Sequence, residues 1–265
     1  MEREVHLRAG LEASRVASEI LLHHFRSETL VIDDKVDGTP VTQADREAEM
    51  AIREVLSRRT PDVGLLGEEL PAEGPRDARW IIDPLDGTKN FVSGLPLFAV
   101  LLSLEIEGRV ELGIVHAPSS GKTWWAARGV GAFSCRGTDP ERCRDRILSV
   151  GDVSRVNEAF ICHGGLSHIE ELGLWDPFTT LVRESRRTRG FGDYWGHMLV
   201  AEGRVDAMID PRVALHDVAG VGLIVEEAGG QLVSRHDVSI DERFCGLVLS
   251  ANSDLLVQLR QVLSV

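Results

Sequence analysis

The chain has 265 residues with a hydrophobic fraction of 43% and a charged fraction of 27%, an ordinary globular balance with no compositional sign of disorder, sufficient for one large core or two small lobes. The formal net charge of -13 argues against nucleic acid or an anionic membrane surface as a partner, since the sequence holds no evident basic patch to receive them. No run approaches the roughly 20 apolar residues of a membrane span and no apolar signal core is present, while Cys135, Cys143, Cys162 and Cys245 lack the paired spacing of a zinc site or disulfide framework, so the expectation is a reduced, cytoplasmic protein.

Apolar residues at Val5, Leu7, Leu11, Val16, Ile20, Leu21 and Leu22 among charged neighbours predict an amphipathic helix over 5–25. A polar turn at 33–40 leads to a second helix over 46–58, in which Ala48, Ile52, Val55 and Leu56 keep helical spacing and either Thr42 or Asp45 can serve as cap. Pro61 closes that helix, and an apolar strand at 63–66 delivers Gly67-Glu68-Glu69 at its end. After a polar loop at 71–79, Trp80 to Ile82 read as a buried strand end, with Pro84 and Gly87 forcing a turn. Strands at 98–105 and 110–116 form a hairpin through Glu107-Gly108-Arg109, followed by strands at 123–127 and near 129–133. The charged segment 135–148 is the expected border between two lobes, 1–140 and 141–265. In the second lobe, strands at 159–163, 187–191, 205–209 and 244–250 alternate with helices at 175–184, 194–202, 217–228 and 254–263, the pattern of an α/β unit.

The stretch Asp83-Pro84-Leu85-Asp86-Gly87-Thr88 carries the chemistry. Pro84 fixes φ and the carbonyl of Leu85 is free to turn inward, so Asp83 and Asp86 can aim oxygens at one point, the set that hard divalent cations take. Gly87 and Thr88 then open a helix whose unpaired N–H groups favour a phosphate beside the metals. Read singly, each acid has a plainer role: Asp86 as the N-cap of an Asp-rich turn, Asp45 and Asp217 as helix caps, Glu68 as a solvated loop acid. Together, Glu68, Asp83 and Asp217 stand at three element ends, where α/β sites assemble, and a mere scaffold has no use for so much like charge in one place.

Gly67-Glu68-Glu69, the run Trp80 to Thr88, and His216-Asp217-Val218-Ala219-Gly220 stand in an order and spacing that resembles the metal-binding motifs of the inositol-monophosphatase superfamily. The likeness covers about 41–230, where Glu227-Ala228-Gly229-Gly230 is similar to the family's end-of-helix signature; His216 departs from it, since the family usually has Trp there. The resemblance implies an α/β (α+β) fold, a layered α/β/α/β/α sandwich with an antiparallel sheet in the N-terminal lobe and a mixed sheet in the C-terminal one. It further implies a magnesium-dependent phosphomonoesterase acting on a small-molecule phosphate ester, commonly as a homodimer. Carried over by position, Glu68, Asp83 and the Leu85 carbonyl look like ligands of a first metal, and Asp83, Asp86 and Asp217 of a second. A third, weaker ion is implied near Glu68 through water, with Asp45 in its outer shell. Thr88 is then expected to orient the attacking water, and the N–H groups of Gly87 and Thr88 to hold the phosphate. Such a site needs no covalent phosphoenzyme, because bound cations both activate water and neutralise the leaving alkoxide.

The segments Lys89 to Pro96 and Arg189 to Trp195 resemble the histidinol-phosphate phosphatase branch. Histidinol phosphate bears an ammonium and an imidazole, so its pocket is expected to offer carboxylates away from the metals. Asp193 and Asp210 are the candidates. The plainer readings make Asp193 a cap for the helix near Tyr194, Asp210 a turn residue before Pro211, and Tyr194 and Trp195 core or interface rings. Other readings are an inositol or sugar phosphate as substrate, or an inactive relative that only binds. A haloacid-dehalogenase-type Asp-x-Asp-x-Thr nucleophile is excluded by spacing, since Pro84 and Leu85 both stand between Asp83 and Asp86.

Overall fold

The computed structural model describes residues 2–27, 30–34, 40–139 and 146–265. The predicted turn at 33–40 and lobe border at 135–148 fall partly on 35–39 and 140–145, which lie outside the described residues, as does Cys143. In chain order the elements are α1 (Glu2–His24), β1 (Ile32–Asp34), β2 (Pro40–Thr42), α2 (Gln43–Arg59), β3 (Gly64–Gly67), β4 (Ala78–Asp86) and α3 (Thr88–Val92). There follow β5 (Ala99–Ile106), β6 (Arg109–Ala117), β7 (Lys122–Ala127), β8 (Gly131–Arg136), β9 (Arg146–Ile147) and β10 (Phe160–His163). The last third holds α4 (Leu166–Glu171), α5 (Trp175–Glu184), β11 (Arg187–Arg189), α6 (Asp193–Ala201), β12 (Ala207–Ala214), α7 (Leu215–Glu227), β13 (Gln231–Ser234), β14 (Cys245–Ala251) and α8 (Ser253–Leu263).

A seven-stranded sheet runs in sequence order from β3 to β9, and a five-stranded sheet has the order β11-β10-β12-β14-β13. Both faces of the larger sheet are covered. On β5, Val100, Leu102 and Leu104 turn to the core shared with α1 and α2, while Ala99 and Leu101 turn to the core shared with α6 and α7. A third core joins β10, β12 and β14 to α5 and α8 on the far side. The layers therefore run α/β/α/β/α, as the resemblance implied. The smaller sheet is mixed, with β10 parallel to β11 and β12, and β14 antiparallel to β12 and β13. The larger is antiparallel except at β3 and β4, which pair in parallel, a correction to the fully antiparallel expectation. That pair needs a crossover rather than a tight turn, and the polar loop before β4 supplies it.

The helix α2 begins on a capping box: Thr42 Oγ1 accepts from the N–H of Ala44 and Asp45, and Asp45 Oδ2 accepts from the N–H of Thr42. Both residues proposed as cap thus share the task. In the central helix layer, α7 lies against β6 at glycine on both sides, since a Cβ built on Gly113 stands 2.4 Å from Gly220 O. Any side chain at 113 would push α7 off the sheet. Among the described residues no helix is long and apolar enough to cross a membrane. Cys135 is disulfide-bonded and Cys162 and Cys245 are free, which corrects the expectation of four reduced cysteines; spacing rules identify paired motifs and frameworks, and a single bond leaves no such pattern.

Buried His116 on β6 faces Thr123 on β7, with Nδ1 2.8 Å from Oγ1. Burial lowers its pKa from 6.5 to about 4. A histidine neutral in the fold yet protonated when unfolded costs stability as pH falls, so its contribution is intact above pH 6.5 and lost between there and 4. The loss is on the order of 3 kcal/mol. Denaturant midpoints followed from pH 7 to 4 should fall more steeply for the wild type than for His116→Leu; parallel curves would refute the assignment.

Candidate active site

The site forms where the two sheets meet the central helices. At the end of β4 the strand does not stop at Ile82: it continues through Pro84 to Asp86, with Asp83 opposite Leu101 and Asp86 opposite Ala99 on β5, a bulge that corrects the predicted turn. The four residues from Asp83 to Asp86 stand against the three from Leu101 to Ala99, and the one extra residue puts Asp83 and Asp86 on the cleft side together. The chain then leaves the strand at Gly87, whose φ of +83° suits glycine and which precedes α3 with no side-chain cap, so Asp86 is free of the capping role. Asp217 enters from α7 as a third-position acid, its Oδ2 accepting from Ala214 N–H at 2.6 Å. One oxygen from each of Asp83, Asp86 and Asp217 lies within 4.8 Å of the others.

Each of these carboxylates spends one oxygen on the backbone. Asp83 Oδ1 accepts from Leu85 N–H at 2.9 Å, and Asp86 Oδ2 from Tyr194 N–H at 2.9 Å. The rest of each carboxylate faces its neighbours. Burial first, then the charges of Glu68, Asp86 and Asp217, hold Asp83 well above the usual carboxylate range. Burial with Asp193 and Asp217 does the same to Asp86, and burial also raises Asp217, offset by nearby His216. Three acids crowded this way are unfavourable on their own and fit oxygen ligation of a divalent cation, which the donor set of carboxylates and carbonyl matches. The residues present therefore fit a hard divalent cation.

Glu68 reaches the cleft from the end of β3. Its loop is held from beneath by α2, where buried Glu49 and Arg53 pair at 2.8 Å, Glu49 Oε2 accepts from Glu69 N–H and Arg53 donates to Leu70 O. His216 Nε2 sits 3.7 Å from Glu68 Oε1 and 3.5 Å from Asp217 Oδ1, between an acid just past β3 and one in the first turn of α7. Thr88 Oγ1 is 2.9 Å from Leu85 O and 3.3 Å from Asp45 Oδ1, so Thr88 and Asp45 meet as expected. Both Asp193 and Asp210 line the same cleft of about 840 Å³ as Glu68, Asp83, Asp86, Thr88 and Asp217. Asp193 caps nothing: it is the first residue of α6 behind Gly192, and its Oδ2 accepts from Asn90 Nδ2 at 2.8 Å. Burial, then Asp210 and Asp217, push its carboxyl up to about 7. Tyr194 is core, packed edge-on to Trp124, as its size suggested.

Sequence reasoning named Asn90 and His216 only as parts of motifs and overlooked His197, a buried residue that borders this cleft. Helical spacing puts His197 one turn after Asp193, yet periodicity cannot tell a cleft-facing histidine from a core one.

A sandwich of this layering, with acids from β4 and α7 converging where both sheets end, is that of a phosphatase. The chain belongs to the inositol monophosphatase family, whose model matches residues 2–263. A histidinol-phosphatase of Mycobacterium tuberculosis is 42% identical over 225 residues, covering 84% of this chain and 85% of that one. One from Streptomyces coelicolor is 41% identical over 229 residues, with 84% of each covered. An inositol-1-monophosphatase of Mesorhizobium japonicum is 34% identical over 261 residues, covering 95% of this chain and 93% of its own. Among solved structures, the inositol monophosphatase of Thermotoga maritima superposes with a TM-score of 0.83 at 28% identity, covering 100% of this chain and 97% of that one.

Removing one of three crowded charges has opposite effects with and without cation. In EDTA, Asp86→Asn should raise the melting temperature by roughly 2–4 °C, since burial and like charge disfavour the carboxylate. With saturating magnesium the order should reverse, because the wild type gains more from ligand linkage. Equal responses of both proteins to magnesium in a thermal melt would place the cation elsewhere.

Proposed function

We propose that this phosphatase hydrolyses histidinol phosphate to histidinol and phosphate, with magnesium as its cofactor. The observation that carries the reading is the pair Asp193 and Asp210 in the same cleft as Asp83, Asp86 and Asp217. Carboxylates not spent on metal suit an ammonium or imidazolium better than a neutral polyol. The two histidinol-phosphatases at 41% and 42% identity, against 34% for the inositol-1-monophosphatase, support it.

In this reading Glu68, Asp83 and the Leu85 carbonyl would hold one ion, Asp83, Asp86 and Asp217 would hold a second, and Glu68 with Asp45 behind it would steady a third. When bound, the cations neutralise phosphate charge, acidify water and stabilise the leaving alkoxide. The chain's own residues do the rest. Thr88 Oγ1, anchored on Leu85 O and Asp45, keeps a lone pair for the attacking water, and Glu68 with Asp45 receives its proton. The N–H groups of Gly87 and Thr88 at the start of α3 hold the phosphoryl oxygens in line. The P–O bond to the alcohol breaks as the water oxygen bonds to phosphorus. We also propose that the chain works in the cytoplasm as a homodimer, with lobes at 1–140 and 141–265 flanking the cleft.

The test is phosphate release from histidinol phosphate, myo-inositol 1-phosphate and glycerol phosphate. Activity should vanish in EDTA and return with magnesium. Asp193→Asn and Asp210→Asn should each lower the preference for histidinol phosphate over glycerol phosphate by roughly one to two decades, the loss of a charge-assisted bond. A wild type that prefers myo-inositol 1-phosphate would reassign the substrate. Separately, Thr88→Ala should cut kcat by about 10²-fold while calorimetric magnesium binding stays close to wild type, and an unaltered kcat would remove Thr88 from the water-orienting role.

A further inference from the structure

His197 sits on α6 with its ring buried, between β14 and β12. On one side its Nδ1 is 2.7 Å from Oγ of Ser250, itself fully buried on β14. On the other side Nε2 has no hydrogen-bond partner among the described residues. That nitrogen stands 3.6 Å from Asp210 Oδ2, beyond hydrogen-bond length and short of solvent separation. A buried ring nitrogen left unpaired is unfavourable, so a place beside a cleft carboxylate calls for a use.

The chemistry of the pair fixes the tautomer. A carboxylate offers only lone pairs, so attraction requires the hydrogen on Nε2; in the neutral ring Nδ1 then accepts from the Ser250 hydroxyl. Asp210 itself lies at the β12 bulge before Pro211, where the ladder to β14 shifts between Asp210 and Val213, so the sheet alone leaves its side chain loosely specified. It also feels repulsion, since Asp86, Asp193 and Asp217 all respond to its charge. A cation arriving on one oxygen of Asp210 needs the other held.

We infer that His197 is a positioning residue for substrate choice: Ser250 sets its tautomer, and its Nε2–H takes up Asp210 Oδ2 when the cationic part of an amino-alcohol phosphate engages the carboxylate. A shift of about half an ångström completes the bond. The inference rests on Asp210 as a substrate carboxylate, and the experiment separates the two ideas.

KM and kcat are measured for histidinol phosphate and glycerol phosphate in wild type, His197→Phe, His197→Gln, Ser250→Ala, Asp210→Asn and the double variant His197→Phe/Asp210→Asn, each checked for an intact fold by its magnesium-dependent melt. His197→Phe should raise KM for histidinol phosphate about tenfold with kcat nearly held, lowering the selectivity ratio by the same factor. His197→Gln, which keeps a donor, should recover most of that ratio, and Ser250→Ala should fall between. In the Asp210→Asn background His197→Phe should add nothing to the ratio. If Asp210→Asn lowers the ratio while His197→Phe does not, or if their effects simply add, the positioning role is wrong and the substrate reading stands. If Asp210→Asn leaves the ratio untouched, the substrate reading fails and the inference falls with it.

Discussion

The structure is built around mutual repulsion. Glu68, Asp83, Asp86, Asp193, Asp210 and Asp217 all border one cleft in a chain whose formal net charge is -13. Cations can relieve that repulsion, and the protein must hold the acids in place before any arrive. It does so chiefly with peptide dipoles. The N–H groups of Leu85, Tyr194 and Ala214 each take one oxygen of Asp83, Asp86 and Asp217. A peptide N–H orients a carboxylate without neutralising it, whereas a lysine or arginine in the same place would satisfy the charge and compete with the metal.

Those three donors come from three parts of the chain, which ties the layers together through the site. Leu85 belongs to β4, Tyr194 to α6 and Ala214 to the end of β12. Asn90 adds a bridge by donating to both Leu97 O and Asp193, which ties the segment after β4 to the start of α6. On the outer side the buried pair Glu49 and Arg53 does the same for the loop that carries Glu68. An ion pair removed from water is weak evidence for stability, yet here its remaining bonds reach the backbone of a site loop, a role in orientation.

Much of this was legible in the sequence for local reasons. The clustered acids fall within short runs whose turn and strand chemistry is self-contained, and the alternating elements of the second half follow from periodicity. What was not legible depends on tertiary context. Whether β4 stops at Ile82 or bulges onward to Asp86 is decided by its pairing with β5. The short strand β13 and the six-residue α4 have too few residues for a periodic signal. His216 looked like an odd substitution for Trp, and only the fold places its ring between Glu68 and Asp217. Plain capping readings of Asp45 and Asp217 proved compatible with the site, since one oxygen accepts from the backbone while the other is left for Thr88 in Asp45 and for the acid cluster in Asp217.

The glycine contact between β6 and α7 has a bearing on how reliably the acids are spaced. Asp217 lies less than one helical turn before Gly220, and Gly113 sits in the same sheet as Asp83. With no side chain between Gly113 and Gly220, main-chain atoms gauge the gap from helix to sheet at that point. Side chains elsewhere in the core can change size and repack, but those atoms are the same in every protein. The interval between Asp83 and Asp217 is thereby insulated from drift in the surrounding interior.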